Sequence, residues 1–302
     1  MLLLADGEAI VEIVPDVGGA IASFRWRDRD ILRATPPQAR AARDVRSHAC
    51  YPLVPYSNRI ANATLRHAGR DHPLARNFGD SPHAIHGVGW QRAWTTLAAD
   101  ATTARIALDH DASGEGALAW PWPFRATQAF ALRADARGAT LSARLAIENA
   151  GEEAFAFGLG WHPFFPKPVG TTLAFDAPWA WINDATQLPV ERVAVPDRWR
   201  FTPARPLDDT VLDNVFEPST GTATIAWPDA RVAVTIDADS ALDRRVVYVP
   251  EGRDFLAFEP ATHMTDAFNR AARGQPGSGA RRLPPGASFS CTMRLHASTF
   301  PR

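Results

Sequence analysis

Lysine is almost missing from this chain of 302 residues: of its 32 basic side chains only Lys167 is a lysine, and the other 31 are arginine. Schiff-base or P-loop lysine chemistry is confined to that one position, and no Gly-x4-Gly-Lys pattern surrounds it. Cysteine is equally sparse. Cys50 and Cys291 are too few for a disulfide framework or a cysteine-based zinc cluster. Neither sign of charge is in excess, since 33 acidic side chains leave a net charge of −1. That balance gives no electrostatic footprint for nucleic acid or an anionic membrane. No apolar run approaches the roughly 18 residues of a spanning helix. Met1-Leu2-Leu3-Leu4 lacks the basic flank of a signal peptide. The expectation is a cytoplasmic protein with neither nucleic-acid nor membrane partners, in which acid/base work falls to His, Asp and Glu. Oligomeric state is left open.

What is present is alternation. Hydrophobic residues make up 46% of the chain and charged residues 22%, the balance of an ordinary globular protein. In Leu141-Ser142-Ala143-Arg144-Leu145-Ala146-Ile147 the odd positions are apolar and the even ones small or charged, which predicts a strand with one buried face. The same period recurs at Ala104–Leu108, Ala154–Leu159, Val232–Ile236, Val246–Val249 and Phe289–Leu295. Cys291 falls on the apolar face of the last and reads as a small buried hydrophobe. Ile10–Val14 and Ile21–Trp26 flank Gly18-Gly19 as a hairpin. Helical periodicity is scarce; Ala34–Ala49 could hold a short helix whose start Pro36-Pro37 restricts. Ala271–Ala280, rich in Gly, reads as an exposed loop. Prolines are spread along the chain, and no repeat or composition break marks a boundary. The prediction is all-β: one large antiparallel β-sandwich domain over residues 1–302.

Four segments place titratable groups in apolar or turn-like surroundings. Tyr51–Ile60 ends an apolar run in Ser57-Asn58-Arg59. The rigid guanidinium fork of Arg59 suits sugar oxygens or a carboxylate, or else a local surface pair. Pro82–Trp90 carries His83 and His86, with Gly87 and Gly89 allowing another group to approach closely. A strand would send the two imidazoles to opposite faces. No third ligand follows at short range, so no metal site is expected, and one of the pair reads as structural. Gly158–Pro166 holds His162 among glycines and aromatics. Such walls keep an imidazole neutral or ready to exchange a proton, though a core His bonded to a carbonyl fits too. In Phe255–Asn269, Glu259 closes an apolar strand-like run. A carboxylate there is a candidate general base tuned upward from about 4.3, or else a buried Glu satisfying backbone amides or Arg59.

Taken in order, these segments resemble the aldose 1-epimerase (galactose mutarotase) family. The matching elements are Pro52-Leu53-Val54-Pro55-Tyr56-Ser57-Asn58-Arg59-Ile60, His86-Gly87, His162-Pro163-Phe164-Phe165 and Glu259-Pro260 with Asp266-Ala267-x-Asn269. The resemblance implies a galactose mutarotase-like supersandwich, a cleft on one sheet face, a sugar substrate and no cofactor. It also implies that Glu259 is the general base, His162 the general acid, His86 a second imidazole near the ring oxygen, and Arg59, beside Asn58, a substrate-binding residue. The family's hydroxyl-binding Asp has its nearest counterpart in Leu212-Asp213-Asn214-Val215-Phe216, which lacks the usual His. His86 is followed by Gly-Val-Gly rather than Gly-Gly. The sugar itself, whether free hexose, hexose 6-phosphate or a sulfonated sugar such as sulfoquinovose, stays open. An anionic one would need further cations, which nothing in the arginine pattern marks.

Two other readings share these residues. A non-catalytic carbohydrate-binding protein would use Trp90, Trp94, Trp120, Trp122 and Trp161 as stacking platforms, although such residues belong more often to a core. A glycosidase would use Glu259 and Asp213 as a carboxylate pair.

Overall fold

The alternation seen in the sequence is realised as long antiparallel strands. In a computed structural model describing residues 1–300, Gly138–Asn149 is one strand that buries Leu141, Ala143, Leu145 and Ile147 and turns Arg144 to solvent. It pairs with Phe124–Ala134 on one side and Ser288–Thr299 on the other. Cys291 is buried opposite Leu145, as its place in the pattern predicts.

Two large sheets result. The first, of eleven strands, runs in the order Leu2–Asp6, Ala9–Val14, Ala20–Trp26, Cys50–Leu53, Gly160–Pro166, Phe255–Ala261, Arg244–Val249, Leu212–Glu217, Trp179–Asn183 and Pro189–Ala194, with Arg29–Leu32 paired to Ala20–Trp26. The second has nine strands built around Phe124–Ala134, Gly138–Asn149, Ser288–Thr299 and Val232–Ala238. The hairpin around Gly18-Gly19 forms, with a register shift between Glu12 and Ile13.

Because side chains alternate along a strand, each strand of the first sheet sends one set inward and one set outward. Trp161 and Phe165, Leu256 and Phe258, and Val247 pack toward the second sheet. The ring of Trp161 meets Phe130 at 6.3 Å between centroids, and Phe258 meets Phe175 at 5.2 Å. Burying each such side chain stabilises the fold by about 1.5–3 kcal/mol. The outward set forms a separate small cluster of Tyr51, Leu53, Trp90, Phe164 and Ala257.

Helix is confined to short pieces. Pro37–Ala42 occupies part of the expected Ala34–Ala49 stretch, with proline in its first turn where a missing N–H costs nothing. Ala267–Ala272 takes the first two residues of the predicted Ala271–Ala280 loop, because Asp266 begins a helical turn there; the rest is largely exposed. No helix among the described residues is long and apolar enough to cross a membrane.

Candidate active site

Register alone assembles the floor of the site. His162 lies opposite Tyr51, Phe164 opposite Ala257, Glu259 opposite Val246, and Tyr248 opposite both Ala257 and Asp213. Directly opposed residues share a face. Five adjacent strands therefore present Tyr51, His162, Phe164, Glu259, Val246, Tyr248 and Asp213 on the outer face of the larger sheet. Glu259 lies within its strand rather than at its end, since Pro260 and Ala261 continue it. These residues, together with Asn58, Arg59 and His86, line a cavity of about 270 Å³.

The walls come from loops that the four segments build jointly. Asn58 and His86 hold each other through two backbone groups. The N–H of Asn58 donates to Nδ1 of His86 at 3.0 Å, and the N–H of His86 donates to the carbonyl of Asn58 at 2.9 Å. The first bond fixes the tautomer, leaving Nε2 of His86 as the N–H donor. Gly87 follows at φ +71, and a Cβ there would lie 2.4 Å from the carbonyl oxygen of Val54. Only glycine admits that approach. The side-chain oxygen of Asn58 accepts from the backbone N–H of Arg59 at 2.9 Å and from its guanidinium at 3.0 Å, which aims the fork.

Asp266 and Asn269 brace this loop from behind. The N–H of Ala61 donates to Oδ1 of Asp266 at 3.0 Å, the Asn269 amide donates to the same oxygen at 2.7 Å, and Arg273 pairs with Oδ2 at 3.1 Å. His83, the structural member of its pair, accepts from the N–H of Asn62 at 2.9 Å.

At the centre, Nε2 of His162 lies 3.2 Å from Oε1 of Glu259. Both residues are buried, His162 at 7% exposure and Glu259 at 3%. Burial pushes the Glu259 carboxyl well above the usual carboxylate range; Asp213 adds to this and Arg59 opposes it. Burial pulls the His162 imidazole well below its ordinary value, and the Arg33 cation adds to that. Both shifts favour the uncharged forms, a protonated carboxyl beside a neutral imidazole. Burial also raises the Asp213 carboxyl, against Arg59. His86 is lowered by burial and by the neighbouring His162 and Arg59. Both Nδ1 of His162 and Oε2 of Glu259 are buried without a partner.

All six residues singled out in the sequence, Glu259, His162, His86, Arg59, Asp213 and Asn58, therefore meet in one cavity. Glu259 is engaged by His162, not by Arg59 or backbone amides as the structural alternative required. The five tryptophans do not serve as platforms: each is 5% exposed or less, and none lines the cavity. Sequence reasoning missed Tyr51, whose ring lies 4.6 Å from that of His162, along with Tyr248, Arg33, Arg46 and Phe78. Tyr51 opens one of the four segments and could have been flagged; Tyr248 lies in the alternating run Val246–Val249, where nothing marks it as more than a strand residue, and Arg33, Arg46 and Phe78 sit in no local pattern. Larger hollows exist elsewhere. The one beside Trp181 contains Glu217, but that carboxylate is committed to Trp181, Arg192 and Arg244.

The aldose 1-epimerase family model matches residues 1–296. Among curated proteins, the uncharacterized Escherichia coli protein YphB is 28% identical over 295 residues, 93% of each chain. The uncharacterized Escherichia coli protein YihR is 26% identical over 88% of this chain and 85% of its own. Among solved structures, an aldose 1-epimerase candidate from Escherichia coli K12 superposes with a TM-score of 0.87 at 26% identity, covering 99% of both chains. A galactose mutarotase-like protein from Clostridium acetobutylicum shares the fold at 18% identity and a TM-score of 0.84, covering 99% of this chain and 95% of its own. With a cavity of this make-up on a sandwich of this size, and a family match over nearly its whole length, the chain belongs to the aldose 1-epimerase family.

Proposed function

We propose that this protein is an aldose 1-epimerase that interconverts the α and β anomers of a hexose by acid/base ring opening and re-closure. The observation that carries the reading is the 3.2 Å contact between Glu259 and His162 on the cavity floor, with the two groups' proton affinities pushed in opposite directions.

Mutarotation moves two protons. Glu259 takes the proton of the C1 hydroxyl as the bond from C1 to the ring oxygen breaks. The electron pair of that bond goes to the ring oxygen, which takes a proton from His162. The product is an open-chain aldehyde. Rotation about C1–C2 presents the other carbonyl face; the C5 hydroxyl adds to it, returning its proton to His162 while Glu259 re-protonates the C1 oxygen. Each positioned proton transfer contributes about 10²–10⁴-fold. Oxidation state is unchanged throughout, and the two side chains supply every proton.

For this direction of transfer the shared proton must move from Glu259 to His162 when sugar binds. A C1 hydroxyl donating to the carboxylate and the nearby Arg59 cation both favour the ionised carboxylate. Nε2–H of His86 and the Arg59 fork are donors for the ring oxygen as it gains charge. Asp213, across the floor from His162, accepts from distal hydroxyls and leaves C1 free to turn.

The test is anomer exchange on freshly dissolved α-glucose and α-galactose, followed by polarimetry or NMR. Catalysed exchange that Glu259→Gln and His162→Asn each reduce by orders of magnitude is the expected result. Sugar binding without exchange in the wild-type protein would instead favour a binding protein, and release of reducing sugar from a glycoside would favour a hydrolase.

A further inference from the structure

Asp213 stands where the larger sheet loses its pairing on one side. Its strand, Leu212–Glu217, pairs with Arg244–Val249 from Leu212 to Phe216. On the other side it pairs with Trp179–Asn183 at only two positions, Trp179 opposite Glu217 and Ala180 opposite Phe216. Toward Asp213 those two strands part. A second hollow, of about 620 Å³, opens between them and shares Asp213 and Tyr248 with the catalytic cavity.

Two side-chain amides take the place of the missing ladder. Nδ2 of Asn183 donates to the carbonyl of Asp213 at 2.7 Å, and the N–H of Asp213 donates to Oδ1 of Asn214 at 3.3 Å. Nδ2 of Asn214 in turn donates to the carbonyl of Trp181 at 2.7 Å, which ties the clamp to the parted strand. The orientation of the Asn183 amide follows from its surroundings, because its nitrogen faces two acceptors, the Asp213 carbonyl and Oε1 of Gln187 at 3.4 Å. Reversed, it would set oxygen against oxygen.

The Asp213 carboxyl depends on this clamp. Among the described residues no group hydrogen-bonds it, and only burial and the Arg59 cation act on it. Its reach into the cavity therefore follows from the backbone that the amides hold. Glu259 and His162 need no such device, since their strands are paired on both sides. Elsewhere in the site Asn77 grips Ile85, the residue before His86, in the same way. The N–H of Ile85 donates to Oδ1 of Asn77, and Nδ2 donates to the Ile85 carbonyl, both at 2.8 Å.

We infer that Asn183 is a positioning residue, which fixes the Asp213 carboxyl for the sugar's distal hydroxyls and keeps it out of the second hollow. This rests on the epimerase reading for the role of Asp213. Contacts far from C1 are held alike before and during ring opening, so they set KM rather than kcat.

The experiment follows NMR anomer exchange and calorimetric binding of glucose in the wild type, Asn183→Leu, Asn183→Gln, Asp213→Asn and the double variant of Asn183→Leu with Asp213→Asn. Asn183→Leu keeps the size of the side chain and removes the donor. It is expected to raise KM and weaken binding about ten-fold, the factor of one hydrogen bond, with kcat within about two-fold of wild type. Asn183→Gln keeps the donor and restores part of the affinity. In the double variant the Asn183→Leu effect disappears, because residues acting through one another are not additive. Repeating the comparison with 3-deoxyglucose and 4-deoxyglucose names the hydroxyl, since a sugar lacking it is insensitive to Asn183→Leu. A wild-type KM in Asn183→Leu overturns the proposal, as does an additive loss in the double variant. If Asn183→Leu does not fold, Asn183→Asp, equal in size and without the donor, decides in its place. Ten-fold weaker binding by Asn183→Leu with no exchange in the wild type upholds the Asn183 assignment and defeats the epimerase reading; exchange with an unaltered KM in the variant does the reverse.

Discussion

The backbone N–H of Ser57 donates to Nε2 of His263 across 3.1 Å, joining two segments 206 residues apart. The other ring nitrogen donates to the carbonyl of Met264 at 2.7 Å, so the imidazole is neutral and fully used. Next to it, the hydroxyl of Thr262 accepts from the N–H of Leu159 at 2.9 Å. The segments carrying Arg59, His162 and Glu259 are therefore pinned together immediately behind the cavity.

His263→Ala leaves the Ser57 N–H unpaired and buried, at a cost of about 1–3 kcal/mol. Burial lowers the His263 pKa from 6.5 to about 4, so between those values the unfolded chain binds a proton that the folded chain does not. Stability therefore falls as pH drops through that window, by up to about 1.4 kcal/mol per pH unit for each such histidine. Urea denaturation at several pH values should show a lower midpoint for the variant and an acid slope shallower by one proton. An unchanged slope would remove His263 from this role.

Gly158 has no room for a side chain: a Cβ would fall 1.8 Å from Cδ2 of His263. Gly158→Ala should cost about 1–3 kcal/mol as an overpacked core position. It should also lower kcat/KM, because relief requires the pinned segments to part. Gly252→Ala, where a Cβ meets nothing within 4 Å but φ is +65, separates backbone strain from crowding and should leave kcat/KM unaltered.

Glu259→Gln should abolish catalysis while making the fold more stable at neutral pH. The folded-state pKa of Glu259 is raised above the unfolded value near 4.5, so burial costs stability as pH climbs past that value. A neutral amide removes the cost, so the variant should be more stable than wild type at pH 7. The gain should vanish near pH 4, where the carboxyl is protonated in both states. A variant that is less stable at pH 7 would contradict the buried, proton-holding carboxyl.

For catalysis, the active pair carries one proton between Glu259 and His162. His162 is held well below 6.5, and Glu259 well above its usual range. The kcat/KM profile should therefore stay flat through about pH 6.5, the ordinary histidine value. It should fall only on the alkaline side, as the pair loses its proton, and at strongly acid pH, as it gains a second. An acid limb centred near 6.5 would show that a solvent-like histidine controls the rate.

Legibility from sequence followed the range of the physics. Alternation is local, because successive Cβ atoms point to opposite faces. Leu141, Ala143, Leu145 and Ile147 could thus be assigned to the core unaided, and all are buried. Glu259 and His162 were legible as polar groups in apolar contexts, which is also local. The short helix at Ala267–Ala272 was missed because its start, Asp266, adopts a left-handed φ of +55 and makes tertiary bonds rather than capping its own helix.

By itself, then, the sequence determined strands, a sandwich class, and a short set of acid/base candidates with the family they match. The tertiary structure decided which of them meet. Strand order places Gly160–Pro166 between Cys50–Leu53 and Phe255–Ala261, and only that order brings His162 within 3.2 Å of Glu259. It also set Asp213 opposite Tyr248 and lifted Arg33 out of 31 arginines into the wall beside His162. The reason is physical. Side-chain period is a property of neighbouring residues, whereas the partner of a strand, and the burial that moves a proton, depend on residues brought together from distant parts of the chain.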